Sequence, residues 1–162
     1  MKVTGLNNLD KLIRKFSGLE DFIQTQADII IGQDKKILED DNRKQLNFAG
    51  IGSDGNELTY LKTRKTPSAD GIYSNPYSKY KERKGGQTSF VNLRLTGDFQ
   101  KTIELFRTGI GEWTFTSTDV KYEWLKEWYG ENIVGVTEDF LKEFSEDNLQ
   151  PQLQNKVDNY LK

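Results

Sequence analysis

LEDFIQTQADIIIGQDKKILEDDNRKQLNF, residues 19–48, is the stretch that decides the fold. Its apolar residues recur mostly three, four or seven positions apart, a spacing that places them on one face of a helix. They are Phe22, Ile23, Ala27, Ile30, Ile31, Ile37, Leu38 and Leu46. The pattern predicts one long amphipathic helix, which follows a break at Gly18 and ends in the glycine-rich segment AGIGSDG (49–55).

A short antiparallel sheet is predicted further along the chain. Residues 104–107 begin one strand, Gly109-Ile110-Gly111 forms a turn, and WTFTS (113–117) alternates in the way a partner strand does. The pattern therefore predicts a hairpin over residues 104–117. Alternation of Val91, Leu93 and Leu95 with polar residues indicates a further half-buried strand over residues 91–95.

The Thr-Gly-Asp sequence at 96–98 follows that strand. Glycine permits a sharp turn, and an aspartate at the start of a helical turn can accept hydrogen bonds from its free amides. We therefore expect Asp98 to cap a short turn that holds Phe99 and Ile103.

Three helices are predicted at the C-terminal end, starting near Asp119, Thr137 and Pro151. The first carries an aromatic face that ends at Gly130. Together with the long helix and the hairpin, this predicts an α+β fold in a single domain over residues 1–162, in which 91–162 forms the sheet and the C-terminal helices.

The composition restricts the chemistry available to the chain. Its 162 residues include no cysteine and no histidine, so thiolate nucleophiles, imidazole bases and Cys- or His-bound metals are excluded. Gly50, Gly52 and Gly55 match the spacing of a dinucleotide-binding loop, but a helix precedes them where that motif needs a strand. We expect no catalytic residues, no cofactor and no metal.

Membrane insertion is not expected. No stretch approaches the roughly 18 apolar residues of a membrane-spanning helix, and MKVTGLNNLD (1–10) lacks the apolar core of a secretory signal. These features predict a soluble protein that is made in a reducing cytoplasm.

Residues 59–90 lack a lasting period and interleave tyrosines with basic residues. Residues 60–90 hold seven basic and two acidic residues, a net charge of +5, whereas the whole chain carries −2 and the remainder therefore −7. Loops of this length usually serve a function or are disordered, and tyrosine is enriched at protein interfaces. We expect a long extended arm that is mobile in the free protein and ordered between subunits. Its candidate interface residues are Tyr60, Lys62, Arg64, Lys65, Tyr73, Tyr77, Tyr80, Lys81, Arg83 and Lys84.

Two other interpretations of this segment remain open. Basic residues that neutralise phosphates and tyrosines that stack on bases are typical of single-stranded nucleic-acid surfaces. A nucleic-acid-binding module that uses residues 60–90 is therefore the alternative function. Plain disorder is the third interpretation.

Several segments resemble the neck and tail-completion proteins of tailed bacteriophages, which join the portal region to the tail. Members often open with V-x-G-L-x-x-L, continue into a long amphipathic helix, and later have a TG followed by an aliphatic turn and a hairpin. The corresponding segments are VTGLNNL (3–9), the helix predicted from Leu19 to Phe48, and RLTGDFQKTI (94–103).

The variant of this family in phages of Bacteroidetes-type hosts is more similar. It adds a helix-ending segment, a T-D-x-K-x-x-x-L helix start and a Y-G…I-x-G-x-T step. The corresponding segments are NRKQLNFAGIGSDG (42–55), TDVKYEWL (118–125) and YGENIVGVT (129–137). The long Tyr/Lys segment and the helix after Pro151 depart from the shorter members.

The resemblance implies a structural virion protein of the neck or tail with no active site. It implies a homo-oligomeric ring whose other partners are portal, adaptor or tail-tube proteins. The expected location is the virion, after assembly in the host cytoplasm.

Overall fold

The computed structural model describes residues 13–60, 73 and 75–162. Residues 13–17 are helical before the break at Gly18. The α-helices that follow are α1 (Leu19–Lys44), α2 (Asn75–Arg83), α3 (Asp98–Lys101), α4 (Tyr122–Tyr129), α5 (Glu138–Phe144) and α6 (Gln150–Leu161), with a short 3-10 turn at Glu131–Ile133, and the strands are β1 (Ile103–Gly109) and β2 (Glu112–Ser117). The α+β fold predicted from the sequence is therefore confirmed, with its long N-terminal helix, its hairpin and its C-terminal helices.

Helix α1 follows the apolar pattern closely. It continues past Lys44 as a wider π-helical turn, Gln45–Ala49, and ends at Gly50 in the left-handed conformation with φ 64°. The Gly50 N–H donates to the Gln45 carbonyl at 3.0 Å, which satisfies a carbonyl that the end of the helix would otherwise leave free.

Side chains of α1 close one edge of the hairpin. The Glu39 carboxylate accepts the Leu105 N–H at 3.0 Å, and Arg43 donates to the Ile103 carbonyl at 2.8 Å. Lys35 donates to the Leu105 carbonyl at 3.4 Å. Because these backbone groups of β1 point away from β2, the helix occupies the place that a third strand would take.

The strand predicted over residues 91–95 is wrong. This segment runs without strand pairing, and Leu93 adopts a left-handed φ of 52°. Asn92 is buried although alternation would place it outside, whereas Leu95 is 39% exposed. The Asn92 side chain accepts hydrogen bonds from the ammonium of Lys81 and the backbone N–H of Arg94, so polar contacts rather than a ladder hold the segment.

The role predicted for Asp98 is also corrected. Gly97 does turn the chain, with φ 88°, and α3 follows it. The Asp98 side chain makes no capping hydrogen bond to the helix amides, however, and instead accepts the hydroxyl of Thr96.

The last two helices are joined rather than separate. A π-helical turn, Ser145–Leu149, connects α5 to α6, and the Gln150 N–H donates to the Ser145 carbonyl. Proline has no N–H and collides with the preceding turn, so it is accommodated where the helix has already widened before Pro151. Helix α6 packs along α1, where the rings of Phe22 and Tyr160 stack with their centroids 4.3 Å apart.

The expectation that residues 59–90 lack secondary structure is wrong over α2, which forms two turns of helix. Tyr73 and Lys81 are only 1% and 0% exposed, because the described part of this segment packs onto the domain. Its partners come from elsewhere in the chain, from Leu46, Val91 and Ile133 among others. Residues 61–72 and 74 lie outside the described residues.

A second buried cluster lies between α1, the hairpin and α5, and consists of Leu38, Leu105, Val136 and Phe144. None of the described helices combines the length and the apolar composition needed to cross a membrane.

Candidate protein-binding cavity

A cavity of about 500 Å³ lies where α2, the 93–99 segment and α4 meet. We call it the tyrosine cavity. Its apolar walls and floor are formed by Tyr60, Tyr73, Tyr77, Leu93, Leu95, Phe99, Leu125, Trp128 and Tyr129, and its polar lining by Thr96, Gly97, Asp98 and Lys121. Its volume lies in the range of ordinary ligand pockets.

The aromatic rings hold one another in edge-on arrangements. Tyr129 contacts the Tyr60 ring with centroids 5.8 Å apart at 64°, and the Tyr73 ring at 6.4 Å and 80°. Tyr60 in turn meets Trp128 at 6.3 Å and 65°. These are favourable geometries for aromatic pairs, so the walls of the cavity are preorganised.

A buried polar network fixes Tyr73 from behind. The Lys81 ammonium donates to the Tyr73 hydroxyl at 2.6 Å and to the Asn92 side-chain oxygen at 2.7 Å. The Asn92 N–H also donates to the Tyr73 hydroxyl, which in turn donates to the Phe90 carbonyl at 3.1 Å. The Tyr73 ring therefore has a fixed position in the cavity floor.

Burial shifts the pKa values of Lys81 and Tyr73 in this network. Removal from water lowers the pKa of Lys81 from 10.5 to about 8, because a buried ammonium loses its hydration. The same cause raises the pKa of Tyr73, so its hydroxyl stays protonated and can donate. The described hydrogen-bond partners of Lys81 are neutral groups, a hydroxyl and an amide.

Tyr129 is a lining residue whose hydroxyl has no hydrogen-bond partner among the described residues. The residue is 7% exposed and lines the cavity, and its hydroxyl makes no hydrogen bond with any described residue. Burial raises the pKa of Tyr129, and the nearby hydroxyls of Tyr73, Tyr77 and Tyr60 add to this shift. The hydroxyl is therefore neutral and free to bind an occupant.

The structure separates the residues predicted to form an interface. Tyr60, Tyr73 and Tyr77 meet in the cavity, while Lys81 is buried behind it. Tyr80 is 47% exposed and does not line the cavity. The remaining candidates are Arg83 and Lys84, which are exposed near the end of α2, and Lys62, Arg64 and Lys65, which lie outside the described residues.

An interface role for these residues stays a prediction, because a single chain does not test it. Lys81 is buried behind the cavity and Tyr73 can be reached only from inside it, so neither lies on the outer surface in this conformation. Sequence reasoning missed Leu93, Phe99, Trp128 and Tyr129 as cavity residues. The aromatic face predicted for α4 was the available signal, but a face of that kind is equally typical of a core.

No group of three or more acidic side chains suited to a metal occurs among the described residues. No protein-family model matches the chain, and no curated protein or solved structure is significantly similar to it. The observations thus define an α+β protein with an aromatic-lined cavity.

Proposed function

We propose that this chain is a structural subunit of the neck or tail of a tailed bacteriophage. Copies of it would form a ring that connects the portal to the tail, with portal, adaptor or tail-tube proteins as neighbours. The proposal rests on the resemblance of its segments to neck and tail-completion proteins, and it places the protein in the virion without an enzymatic role.

The observation that carries the proposal is that two family-like segments bind each other. Asn42 donates to the Gly135 carbonyl at 2.6 Å, and the Gln45 side-chain oxygen accepts the Thr137 N–H at 3.0 Å. These are the N-x-x-Q and G-x-T positions of two segments about ninety residues apart. Their contact supports the view that the matching residues form one shared structural element rather than two chance similarities.

The surface supports an assembly role. Among the described residues, Phe48, Ile110 and Val120 are each at least 78% exposed, and Phe106 and Trp124 are 61% exposed. Large aromatic side chains such as Phe and Trp are enriched at protein interfaces. The absence of histidine and cysteine from the sequence agrees with a role in binding rather than in chemistry.

Loss of the gene from its phage tests the proposal. The null mutant should make DNA-filled heads that do not join tails, or incomplete tails, in electron micrographs. Wild-type protein supplied in trans should restore infectivity. Fully infectious particles from the uncomplemented mutant would refute the proposal.

Light scattering of the purified chain, alone and with candidate portal proteins, tests the association itself. Phe48→Ser and Ile110→Ser should weaken complex formation while the chain stays folded, because both side chains are exposed. Thr25→Ser, at an exposed position on α1, is the control. Equal association of all three variants would contradict a role for these apolar residues.

Nucleic-acid binding is the second candidate function. It is favoured by the exposed cations Arg83 and Lys84, which lie near the half-exposed Tyr80 at the end of α2. Phosphate contacts release counterions, so affinity for single- or double-stranded DNA should fall steeply between two salt concentrations. Arg83→Ala with Lys84→Ala should reduce that salt dependence, and Lys101→Ala is the control. Absence of binding at low salt would eliminate this function.

A further inference from the structure

The tyrosine cavity is more completely built than an accidental surface depression. Tyr73, Phe99 and Tyr129 form a buried floor, and the partly buried Tyr77 and Trp128 form walls. The hydrogen bonds to Tyr73 and the edge-on ring contacts fix this arrangement before anything binds. An occupant therefore meets a preformed site and loses little affinity to its reorganisation.

Its charges favour a neutral occupant. The ionic lining is one residue of each sign, Asp98 and Lys121, and the rest of the described lining is uncharged. The Lys81 ammonium lies behind the floor, 4.4 Å from the Tyr73 ring centroid, and would repel a bound cation. An anion would be removed from water into an apolar cavity near the Asp98 carboxylate, which is costly.

Its polar and aromatic groups narrow the occupant further. The aromatic walls favour a planar ring, which they can contact edge-on or in an offset stack. The Tyr129 hydroxyl, which makes no hydrogen bond with any described residue, can either donate one hydrogen bond to an occupant of the cavity or accept one from it. A matching ring therefore carries a single N–H or O–H group.

We propose that the tyrosine cavity binds a tryptophan or tyrosine side chain of a partner protein, with the Tyr129 hydroxyl bonded to the ring N–H or O–H of that side chain. Both side chains are neutral, planar and amphipathic, and both are frequent anchors at protein interfaces. The inference rests on the proposed assembly function, for which it names the kind of residue that the partner inserts.

The first test measures binding of side-chain mimics to the purified chain by calorimetry and by NMR shift changes at the cavity. N-acetyltryptophanamide should bind more tightly than N-acetylphenylalaninamide, which has no ring donor. The cationic N-acetyllysinamide and the anionic N-acetylglutamate amide should not bind. Binding of the charged mimics as tight as that of the tryptophan mimic, or absence of binding by the tryptophan mimic, would overturn the proposal.

The second test removes one atom. Tyr129→Phe should fold normally, since the hydroxyl bonds to no described residue, and should lower affinity for the tryptophan mimic roughly three- to tenfold. Affinity for the phenylalanine mimic should not change. Tyr80→Phe, outside the cavity, is the matched control. Unchanged affinity for the tryptophan mimic in Tyr129→Phe would overturn the role of the hydroxyl.

The outcome is independent of the phage experiment. If the mimics bind with the predicted selectivity but the null mutant is fully infectious, the proposed binding at the cavity is supported and the virion role is refuted. If the null mutant fails to join heads to tails but no mimic binds, the virion role is supported and the proposed binding at the cavity is refuted.

Discussion

The carboxylate of Asp28 accepts the indole N–H of Trp113 at 3.0 Å and so connects the middle of α1 to the hairpin 85 positions later. The same carboxylate accepts the Gly111 N–H and forms an ion pair with Arg107 at 2.6 Å. Burial alone would raise the pKa of Asp28, but the hydrogen bonds from Trp113 and Gly111 and the charge of Arg107 outweigh it and lower the pKa. Gly32, one turn further along α1, leaves space for the Trp113 ring, because a Cβ there would lie 3.3 Å from it.

Asp28→Asn should destabilise the protein. The change removes the charge that three donors share, and hydrogen bonds to charged groups contribute about 1.5–3 kcal/mol each. We expect a loss of about 2–4 kcal/mol in urea unfolding and a shifted Trp113 indole N–H resonance. Asp21→Asn, at an exposed position on the same helix, should change stability by only about 0.5 kcal/mol. Equal effects of the two substitutions would contradict the role of Asp28.

Lys81 should make stability rise with pH. Its pKa is about 8 in the folded chain and 10.5 ordinarily, so between these values the unfolded chain binds more protons. Each unit of difference corresponds to about 1.4 kcal/mol, so stability should increase by roughly 2–3 kcal/mol between about pH 8 and 10. Lys81→Met should lack this rise when unfolding is measured across the range.

Buried tyrosines set the upper end of the pH range in which stability rises. Burial raises the pKa values of Tyr73 and Tyr129, so above about pH 10 tyrosines ionise first in the unfolded chain. Stability should then fall in both the wild type and Lys81→Met. An identical pH profile below pH 10 in the two proteins would show that Lys81 does not titrate in the folded state.

Gly50→Ala and Gly85→Ala separate backbone strain from crowding. Both glycines have left-handed φ values, 64° and 73°, so alanine at either position costs about 1–2 kcal/mol. A Cβ at Gly50 would also lie 2.7 Å from the Val91 carbonyl oxygen, whereas nothing lies within 4 Å at Gly85. Gly50→Ala should therefore cost about 1–3 kcal/mol more in thermal or urea unfolding. Equal losses of stability in the two variants would mean that the backbones at Gly50 and Val91 can separate at no measurable cost.

Tyr73→Ala and Tyr80→Ala test whether the segment around α2 belongs to the domain. Truncating a buried aromatic ring costs about 3–5 kcal/mol, so Tyr73→Ala should lower the unfolding free energy by that amount. The Tyr80 ring is half exposed, and its truncation should cost about 0.5 kcal/mol. A stable Tyr73→Ala variant would restore the expectation of an independent arm.

Features that depend on neighbouring residues were predictable from the sequence. The period of α1, the alternation of β2, the turn at Ile110-Gly111 and the glycine that ends α1 each follow from side-chain spacing or from a backbone conformation that only certain residues adopt. Prediction from neighbouring residues was wrong at residues 91–95, where the alternation of apolar and polar residues predicted a strand. Asn92 is buried there because Lys81 and Tyr73, distant in sequence, supply its hydrogen bonds.

The sequence by itself determined the long helix α1, the hairpin, the C-terminal helices and the absence of histidine and cysteine chemistry. Only the tertiary structure decided that Tyr73 and Lys81 belong to the core, that Glu39 takes the place of a third strand, and that α4 and the tyrosines enclose a cavity. The physical reason is that periodicity shows which face of an element avoids water. It does not show which distant surface covers that face, since this depends on shape and on hydrogen bonds formed through space.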